Sequence, residues 1–246
     1  MTAVLVHGVP ETAAVWDPLR AILRRQDVRA LQLPGFGCPR PDGFTSTKEE
    51  YVEWLAAELE TVEDEIDLVG HDWGGGLVVR LVSTRPGLVR SWVSDAAGIA
   101  HPDFRWHDLA RLWQTPGAGE QFFEQLRSAP VEEQAKAFEG YGVPHEHAVT
   151  MAAAADPVMA ESILALYRSA VHVAEEWSPA FTGISVPGLL LTPSDDPFLA
   201  ADVARASAAR SGATLATLPG LGHWWMLQDP AAGAAKLEEF WSGVAK

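Results

Sequence analysis

The sequence is poor in cysteine, in basic residues and in long apolar runs. Its 246 residues include a single cysteine, Cys38, which excludes an internal disulfide framework and a cysteine-based zinc site. Eighteen lysines and arginines stand against 33 aspartates and glutamates, giving a formal net charge of -15. A surface this acidic repels nucleic-acid phosphates and anionic lipids, so both are poor partners. No apolar run has the length of a signal-peptide core or a membrane span, and a cytoplasmic protein is therefore expected.

Short aliphatic runs alternate with amphipathic segments in the first part of the chain. Strands are predicted at residues 3–6, 29–33, 66–69 and 88–94. Helices are predicted at residues 15–25, from 46 to about 59, and from the glycines at 74–76 to a point before Pro86. Ser46 and Glu49 have the spacing of a capping box at the start of the second helix. This alternation indicates a mostly parallel sheet with helices on both faces.

Residues 99–178 interrupt the alternation. They contain no strand candidate, only helical segments broken at positions such as Pro116-Gly117, Pro130 and Pro157. Beyond them, strands are predicted at residues 188–191 and 214–218, and helices at 199–209 and 230–241. The sequence therefore predicts an α/β fold with about six strands. Its core comprises residues 1–98 and 179–246, and residues 99–178 form a helical cap.

The motif Gly70-His71-Asp72-Trp73-Gly74 runs from a predicted strand into a predicted helix. Its form, Gly-x-nucleophile-x-Gly, is the spacing of a nucleophile elbow, a strained turn that raises one side chain above the edge of the sheet. The glycines leave room for the chain on both sides of that turn. Asp72 is therefore the candidate nucleophile, although an aspartate just before a helix is also a common N-cap.

An aspartate nucleophile indicates hydrolysis in two steps. Its carboxylate displaces a leaving group from saturated carbon and forms an ester, which water then cleaves with the help of a general base. His223 is the candidate base because it follows the last predicted strand, in Gly222-His223-Trp224. A histidine base needs an acidic partner to orient it. Asp196 is preferred for that role, with Asp195 and Asp95 as alternatives.

Two backbone N–H groups are expected to stabilise the oxyanion that forms during ester cleavage. One belongs to Trp73, directly after the nucleophile, and the other to Val9, in the loop after the first strand. The sequence contains no metal-ligand cluster and no dinucleotide-binding glycine motif. Neither a metal nor a cofactor is therefore expected.

Three motifs resemble those of a known group of enzymes. His7-Gly8-Val9-Pro10-Glu11, Gly70-His71-Asp72-Trp73-Gly74-Gly75 and Gly222-His223-Trp224 look like the epoxide hydrolase and haloalkane dehalogenase branch of the α/β-hydrolase superfamily. The resemblance implies the α/β-hydrolase fold, an Asp–His–acid triad, and a helical cap between the sixth and seventh strands of the sheet. The chain begins at what would be the third strand of that family, so the first antiparallel pair is expected to be absent.

Epoxide hydrolases of this branch protonate the opened ring with two cap tyrosines, or with a histidine and a tyrosine. Tyr167, in Leu166-Tyr167-Arg168, looks like the second of these donors, and Tyr141 is the other tyrosine of the cap. The position of the first donor falls on Leu109, which has no proton to give. His107, two residues earlier, is the candidate replacement.

A haloalkane dehalogenase instead binds the departing halide with two N–H donors. Trp73 matches the first, but Val9 stands where many dehalogenases have an asparagine. A cap tryptophan is the alternative second donor, and Trp106, Trp113 and Trp177 are candidates.

Epoxide hydrolysis is the preferred hypothesis, haloalkane dehalogenation the second, and a lyase or a ligand-binding member of the superfold the third. The aromatic and alanine-rich cap predicts a small, apolar, uncharged substrate that reacts with water. Four side chains are expected near that substrate, namely His107, Trp106, Trp113 and Trp224.

Overall fold

Six parallel strands form one sheet in the computed structural model, which describes residues 1–244. The strands are β1 (Thr2–Val6), β2 (Val28–Leu31), β3 (Ile66–Gly70), β4 (Ser91–Ser94), β5 (Gly188–Pro193) and β6 (Thr214–Leu218), and their order in the sheet is β2-β1-β3-β4-β5-β6. The expected parallel sheet of six strands is confirmed. Because all six run the same way, the loops that follow β1, β3, β4 and β5 meet at one edge.

Side chains of the central strands alternate between two apolar cores, as the period of two in a strand requires. In β1, Val4 and Val6 pack into the core on one face, while Ala3 and Leu5 pack into the core on the other. All five residues of β1 and of β3 are buried. The middle of the sheet is thus fixed from both sides, and its carboxyl edge is a rigid platform.

Helices cover both faces of the sheet and fill the long segment between β4 and β5. The described helices are α1 (Asp17–Arg20), α2 (Lys48–Glu60), α3 (Trp73–Thr84), α4 (Asp108–Gln114), α5 (Ala118–Ser128), α6 (Val131–Glu139), α7 (His145–Ala153), α8 (Pro157–Ser169), α9 (Val173–Trp177), α10 (Ala201–Ser211), α11 (Trp225–Gln228) and α12 (Pro230–Gly243). No single helix within residues 1–244 is long and apolar enough to cross a membrane. Helices α7 and α8 have the required length and apolar character only when they are taken together, and the pair is bent by 88° at its junction.

The helices α4 to α9 all lie between β4 and β5, where the helical insertion is predicted. In α8, the ring of Tyr167 packs edge-on against Trp73 at the start of α3, with 5.5 Å between the ring centroids. The insertion therefore contacts the sheet edge at the elbow. The boundaries of core and cap at 98/99 and 178/179 stay a prediction.

The capping box of α2 is displaced by one residue from the predicted one. Thr47 accepts from the backbone N–H of Glu50, and the Glu50 carboxylate accepts in return from the N–H of Thr47. The predicted pair, Ser46 and Glu49, is wrong. It has the same spacing as Thr47 and Glu50, so the spacing alone does not distinguish the two pairs. Ser46 instead adopts a positive φ of 61° just before the helix.

Two predicted elements are shorter than expected by three residues or more. The helix predicted at 15–25 is a 3-10 turn at Ala13–Trp16 followed by the short α1. The strand predicted at 88–94 begins at Ser91, because Pro86–Leu88 forms a 3-10 turn after α3. Proline favours such a turn because its φ is fixed and its nitrogen has no hydrogen to donate.

Candidate active site

Asp72 occupies a strained turn between β3 and α3. Its φ of 49° and ψ of -121° are rare for a residue with a side chain. A Cβ at Gly74 would collide with the carbonyl oxygen of Val6, and one at Gly70 with that of Gly74. Within residues 1–244, the Asp72 side chain makes no capping hydrogen bond to α3. The glycines thus allow a turn that directs the carboxylate away from the helix, which is what the elbow motif predicts.

His223 lies between two carboxylates. Its Nδ1 is 2.9 Å from Oδ2 of Asp196, and its Nε2 is 3.7 Å from Oδ2 of Asp72. The second oxygen of Asp196 accepts the backbone N–H of Phe198 at 2.8 Å, which fixes the carboxylate. Of the three acids that the sequence offers, Asp196 is the one that contacts His223. The structure therefore brings together the predicted nucleophile, base and acid.

The charges of this trio depend on one another. Burial raises the pKa of Asp72 from 3.8 to about 6, although the neighbouring His223 and His71 oppose the shift. Burial also opposes a charge on His223, but Asp196 outweighs it, so the pKa of His223 is raised. The negative charge of Asp72 adds to that rise. Anything that neutralises Asp72 therefore lowers the pKa of His223 and favours its neutral ring.

The Asp72 carboxylate lies against the loop that follows β1. The backbone N–H of Val9 donates to Oδ1 of Asp72 at 2.9 Å. The backbone N–H of Trp73 belongs to the first turn of α3, where N–H groups have no partner within a helix. The Val9 N–H thus contacts the candidate nucleophile, and the Trp73 N–H, the other predicted oxyanion donor, belongs to the next residue along the chain.

A buried charge network beneath the elbow escaped the sequence analysis. His71 donates from Nδ1 to Asp95 at 2.6 Å and from Nε2 to Glu11 at 3.0 Å. Asp95 also accepts the backbone N–H of Asp72 at 2.9 Å. Asp95, an alternative for the triad acid, therefore holds the elbow through His71 and contacts the backbone of the nucleophile. The signal in the sequence was that His71 and Asp95 directly follow strands and that Glu11 lies in the loop after β1, so that all three lie at one edge of the sheet.

Two indoles complete the network around the His71 ring. Glu11 accepts the indole N–H of Trp224 at 2.6 Å, and Asp95 accepts that of Trp225 at 2.7 Å. Burial opposes a charge on His71, but Asp95 and Glu11 together outweigh it and raise the pKa of His71 well above its usual value. The raised pKa favours the imidazolium form of His71, which donates from both nitrogens to the two carboxylates. Its charge lies 4.6 Å from the His223 ring, measured between centroids.

Three of these side chains have the spacing of a metal site. Ligand atoms of Glu11, His71 and His223 lie within 4.8 Å of one another. A histidine ligates a metal only through a deprotonated nitrogen, and both nitrogens of His71 face carboxylates. The geometry therefore favours a charge network, and the expected absence of a metal stays a prediction.

Tyr167 and His107 project from the insertion toward Asp72. The ring of Tyr167 lies among three indoles, 4.9 Å from Trp113 and 5.2 Å from Trp106 between centroids. Burial and the charge of Asp72 raise the pKa of Tyr167 well above 10, so the phenol keeps its proton at neutral pH. His107 is the N-cap of α4 and accepts the backbone N–H of Ala110 at Nδ1, at 3.2 Å.

The candidate halide donors differ in what their indole N–H groups already bind. Trp106 donates to a backbone carbonyl and Trp177 to a carboxylate of α2, so neither N–H is available. The N–H groups of Trp73 and Trp113 are buried and have no hydrogen-bond partner in the described part of the chain. That of Trp73 approaches the Tyr167 hydroxyl without forming a well-aligned hydrogen bond. Trp113 is therefore the cap tryptophan that retains a free donor.

Two cavities meet at Asp72. The cap cavity has a volume of about 140 Å³ and is walled mainly by apolar side chains of the insertion, among them Leu109, Trp113, Phe123, Phe138, Met159 and Ile163. The side cavity has a volume of about 300 Å³ and lies between residues 96–107 and 196–203. Both are lined by Asp72, His107, Tyr167, Phe198 and His223. Of the other predicted pocket residues, Trp224 lines the cap cavity and Trp106 the side cavity.

Comparison with known proteins identifies the family. The model of the alpha/beta hydrolase family matches residues 3–236, which is nearly the whole chain. The chain belongs to this family. It is a hydrolase of the α/β-hydrolase superfamily, as the sequence motifs predict.

This α/β-hydrolase is similar to a 2-hydroxy-6-oxo-2,4-heptadienoate hydrolase of Pseudomonas putida, with 35% identity over 96 residues. That match spans 37% of this chain and 35% of the relative. Among solved structures, the haloalkane dehalogenase DbeA-M1 loop variant from Bradyrhizobium elkanii has a TM-score of 0.78 at 19% identity, covering 99% of this chain and 89% of that one. A proposed epoxide hydrolase from Pseudomonas aeruginosa has a TM-score of 0.77 at 19% identity, covering 98% and 88%. Likeness at this identity shows the shared fold.

Proposed function

We propose that this α/β-hydrolase opens an epoxide through an ester on Asp72 that His223 then hydrolyses. The observation that carries the proposal is the shared wall of the two cavities. Asp72 and His223 face that space from the sheet, and Tyr167 and His107 face it from the insertion. A nucleophile on one side and two hydrogen-bond donors on the other match the needs of an epoxide, whose carbon is attacked while its oxygen is protonated.

In the first step, an oxygen of Asp72 bonds to a ring carbon and the bond from that carbon to the epoxide oxygen breaks. The oxygen leaves as an alkoxide that stays attached to the neighbouring carbon. It takes the proton of the Tyr167 hydroxyl, which the raised pKa of this phenol keeps in place until the ring opens. An alkoxide is a far stronger base than a phenolate, so this proton transfer runs downhill.

His107 supplies the second hydrogen bond to the epoxide oxygen. Because its Nδ1 accepts from the backbone of α4, the neutral ring carries its proton on Nε2. Burial and the nearby His223 lower the pKa of His107, so the ring is neutral at pH 7. An imidazole fixed in this tautomer takes the place of the tyrosine expected at Leu109.

In the second step, His223 takes a proton from water, and the hydroxide oxygen attacks the carbonyl carbon of the ester. The N–H groups of Val9 and Trp73 stabilise the oxyanion. Forming the ester removes the charge of Asp72 that helped raise the pKa of His223. The first step therefore favours the neutral His223 ring, which is the form that accepts a proton from water. Collapse expels the second diol oxygen, which takes the proton from His223. The proton that the attacking hydroxide leaves on the Asp72 carboxyl passes to the Tyr167 phenolate, which restores both the carboxylate and the phenol.

Replacing Tyr167 by phenylalanine separates this proposal from dehalogenation. Loss of the phenol proton is expected to slow epoxide opening by about a hundredfold or more, because general acid catalysis contributes that much. The measurement is the rate of ester formation in a single turnover with styrene oxide. His107→Gln, which keeps a donor at a similar position, is the matched control and is expected to retain more activity. Full activity of Tyr167→Phe on epoxides would contradict the role given to the phenol.

The pH dependence of ester formation reports the ionisation of Asp72. Burial raises the pKa of this carboxyl to about 6, and only the carboxylate attacks carbon. The rate of the first step is therefore expected to be level above pH 7 and to fall close to tenfold per pH unit below about pH 6. Stopped-flow tryptophan fluorescence in a single turnover follows this step. A rate that stays level down to pH 4.5 would mean that the nucleophile is not this buried acid.

Haloalkane dehalogenation is the second candidate, and it is favoured by the indole N–H groups of Trp73 and Trp113, which have no hydrogen-bond partner among residues 1–244. Trp73 and Trp113 flank Tyr167, with ring centroids 5.5 and 4.9 Å from the phenol ring. A halide needs two such donors when it leaves a carbon attacked by Asp72. Halide release from 1-bromobutane that collapses in both Trp73→Phe and Trp113→Phe, but persists in Tyr167→Phe, would favour this activity over epoxide hydrolysis.

A further inference from the structure

The two cavities extend from the catalytic groups in different directions. The cap cavity runs beneath the helices of the insertion, where Phe123 and Ile163 contribute to its wall. The side cavity is formed by the segment after β4 and by the start of α10, with Ile99 and Val203 in its wall. Their junction is the space around Asp72, Tyr167 and His107, and the chemistry of the proposed function takes place there.

Both cavities have room and apolar side chains for an apolar group, although the lining of the side cavity also contains charged side chains. A cavity of roughly 150 Å³ with apolar walls accommodates a benzene ring, and the cap cavity is close to that size at about 140 Å³. The side cavity is larger, at about 300 Å³, and its lining combines apolar side chains, among them Ile99, Leu199 and Val203, with the charged Asp103, Arg105 and Asp202.

We propose that the substrate is an internal epoxide, with an apolar substituent on each ring carbon and one substituent in each cavity. The inference rests on the proposed function and specifies its substrate class. An epoxide held by Tyr167 and His107 at the junction presents its two carbons toward opposite cavities. A terminal epoxide fills one cavity and leaves the other to solvent, whereas an internal epoxide removes apolar surface from water on both sides.

The test compares trans-stilbene oxide, with a phenyl ring on each carbon, with styrene oxide, which has one. Val203→Phe narrows the side cavity without touching a group assigned to the chemistry, and Leu199→Phe is a second variant of the same kind. Ala155→Phe, at a half-buried position that lines the cap cavity, is the matched control. Circular dichroism and thermal unfolding establish that each variant is folded.

Val203→Phe and Leu199→Phe are expected to lower kcat/KM for trans-stilbene oxide at least tenfold and to leave styrene oxide within threefold of the parent value. Ala155→Phe is expected to lower both. Equal losses for both substrates in Val203→Phe would make the side cavity a passage, and no loss for either would make it irrelevant; each result overturns the proposal. If the parent enzyme forms no diol from either epoxide, and no ester on Asp72, the proposed function itself fails and the substrate class falls with it.

Discussion

Replacing Asp72 by asparagine is expected to lower turnover by more than about a thousandfold, because an amide oxygen does not form the ester on which both steps depend. Asparagine accepts the unusual backbone of this turn, since it tolerates positive φ better than most residues. The elbow should therefore keep its shape. The measurement is steady diol formation with a fresh preparation, together with the mass of the peptide that carries residue 72.

That peptide mass is the control for deamidation, which would regenerate aspartate and restore activity slowly. Turnover close to the parent rate, in protein whose peptide still carries asparagine, would contradict the role of Asp72. A slow recovery that tracks the appearance of aspartate would instead support it.

The same substitution is expected to stabilise the folded protein at neutral pH. Asp72 has a pKa of about 6 when folded against 3.8 as a free side chain, so the folded state holds its proton more tightly than the unfolded state. Above pH 6 the folded protein therefore keeps a buried charge at a cost, which asparagine removes. The free energy of unfolding at pH 8 should rise by about 1 to 3 kcal/mol, and the gain should vanish below pH 4.

Asp196→Asn is the matched control, and the opposite effect on the free energy of unfolding is expected. Burial opposes ionisation of Asp196, but His223 outweighs it and lowers its pKa, so this carboxylate stabilises the fold above about pH 4. Its replacement should lower the free energy of unfolding at pH 8. Denaturant unfolding of the two variants at pH 8 and pH 4 measures both effects. Destabilisation by Asp72→Asn at pH 8 would contradict the assignment of a buried, strained charge to the elbow.

Replacing His223 by glutamine is expected to stop the reaction after the first step. Asp72 still attacks the substrate, but no base is left to activate water against the ester. The protein should gain the mass of one substrate molecule within a single turnover, and steady diol formation should fall by about a thousandfold or more. Mass spectrometry of the intact protein and of the peptide carrying Asp72 measures the gain.

The double variant Asp72→Asn with His223→Gln is the control and should gain no mass. An adduct that forms in the double variant would place the attacked group elsewhere. Diol formation by His223→Gln at the parent rate, without any adduct, would remove His223 from the mechanism.

The sequence sufficed for features that depend on neighbouring residues. The elbow followed from Gly70, Asp72 and Gly74, because a Cβ at either glycine position would collide with a backbone oxygen, and only glycine fits there. The six strands followed from short aliphatic runs, because such runs are a local property of the sequence. His223 was found by its place after the last strand. Parallel strands bring their carboxyl ends to one edge whatever the details of packing.

Other parts of the site depend on contacts between distant residues. Glu11, His71 and Asp95 lie after three different strands, and their mutual distances are set by the register of the sheet. The tautomer of His107 depends on its being the N-cap of α4, and helix starts are hard to locate from sequence, as the one-residue error at Ser46 illustrates. The free indole of Trp113 and the bound one of Trp106 likewise differ only through packing within the insertion.

A single turnover in oxygen-18 water, with enzyme in excess over epoxide, tests the ester on Asp72 most directly. If the carboxylate attacks carbon, the first diol carries the ordinary oxygen of Asp72, and the heavy isotope enters the side chain when water cleaves the ester. The peptide carrying residue 72 should then gain the mass of one exchanged oxygen. A first diol that contains oxygen-18, beside an unlabelled peptide, would mean that water attacks the epoxide directly.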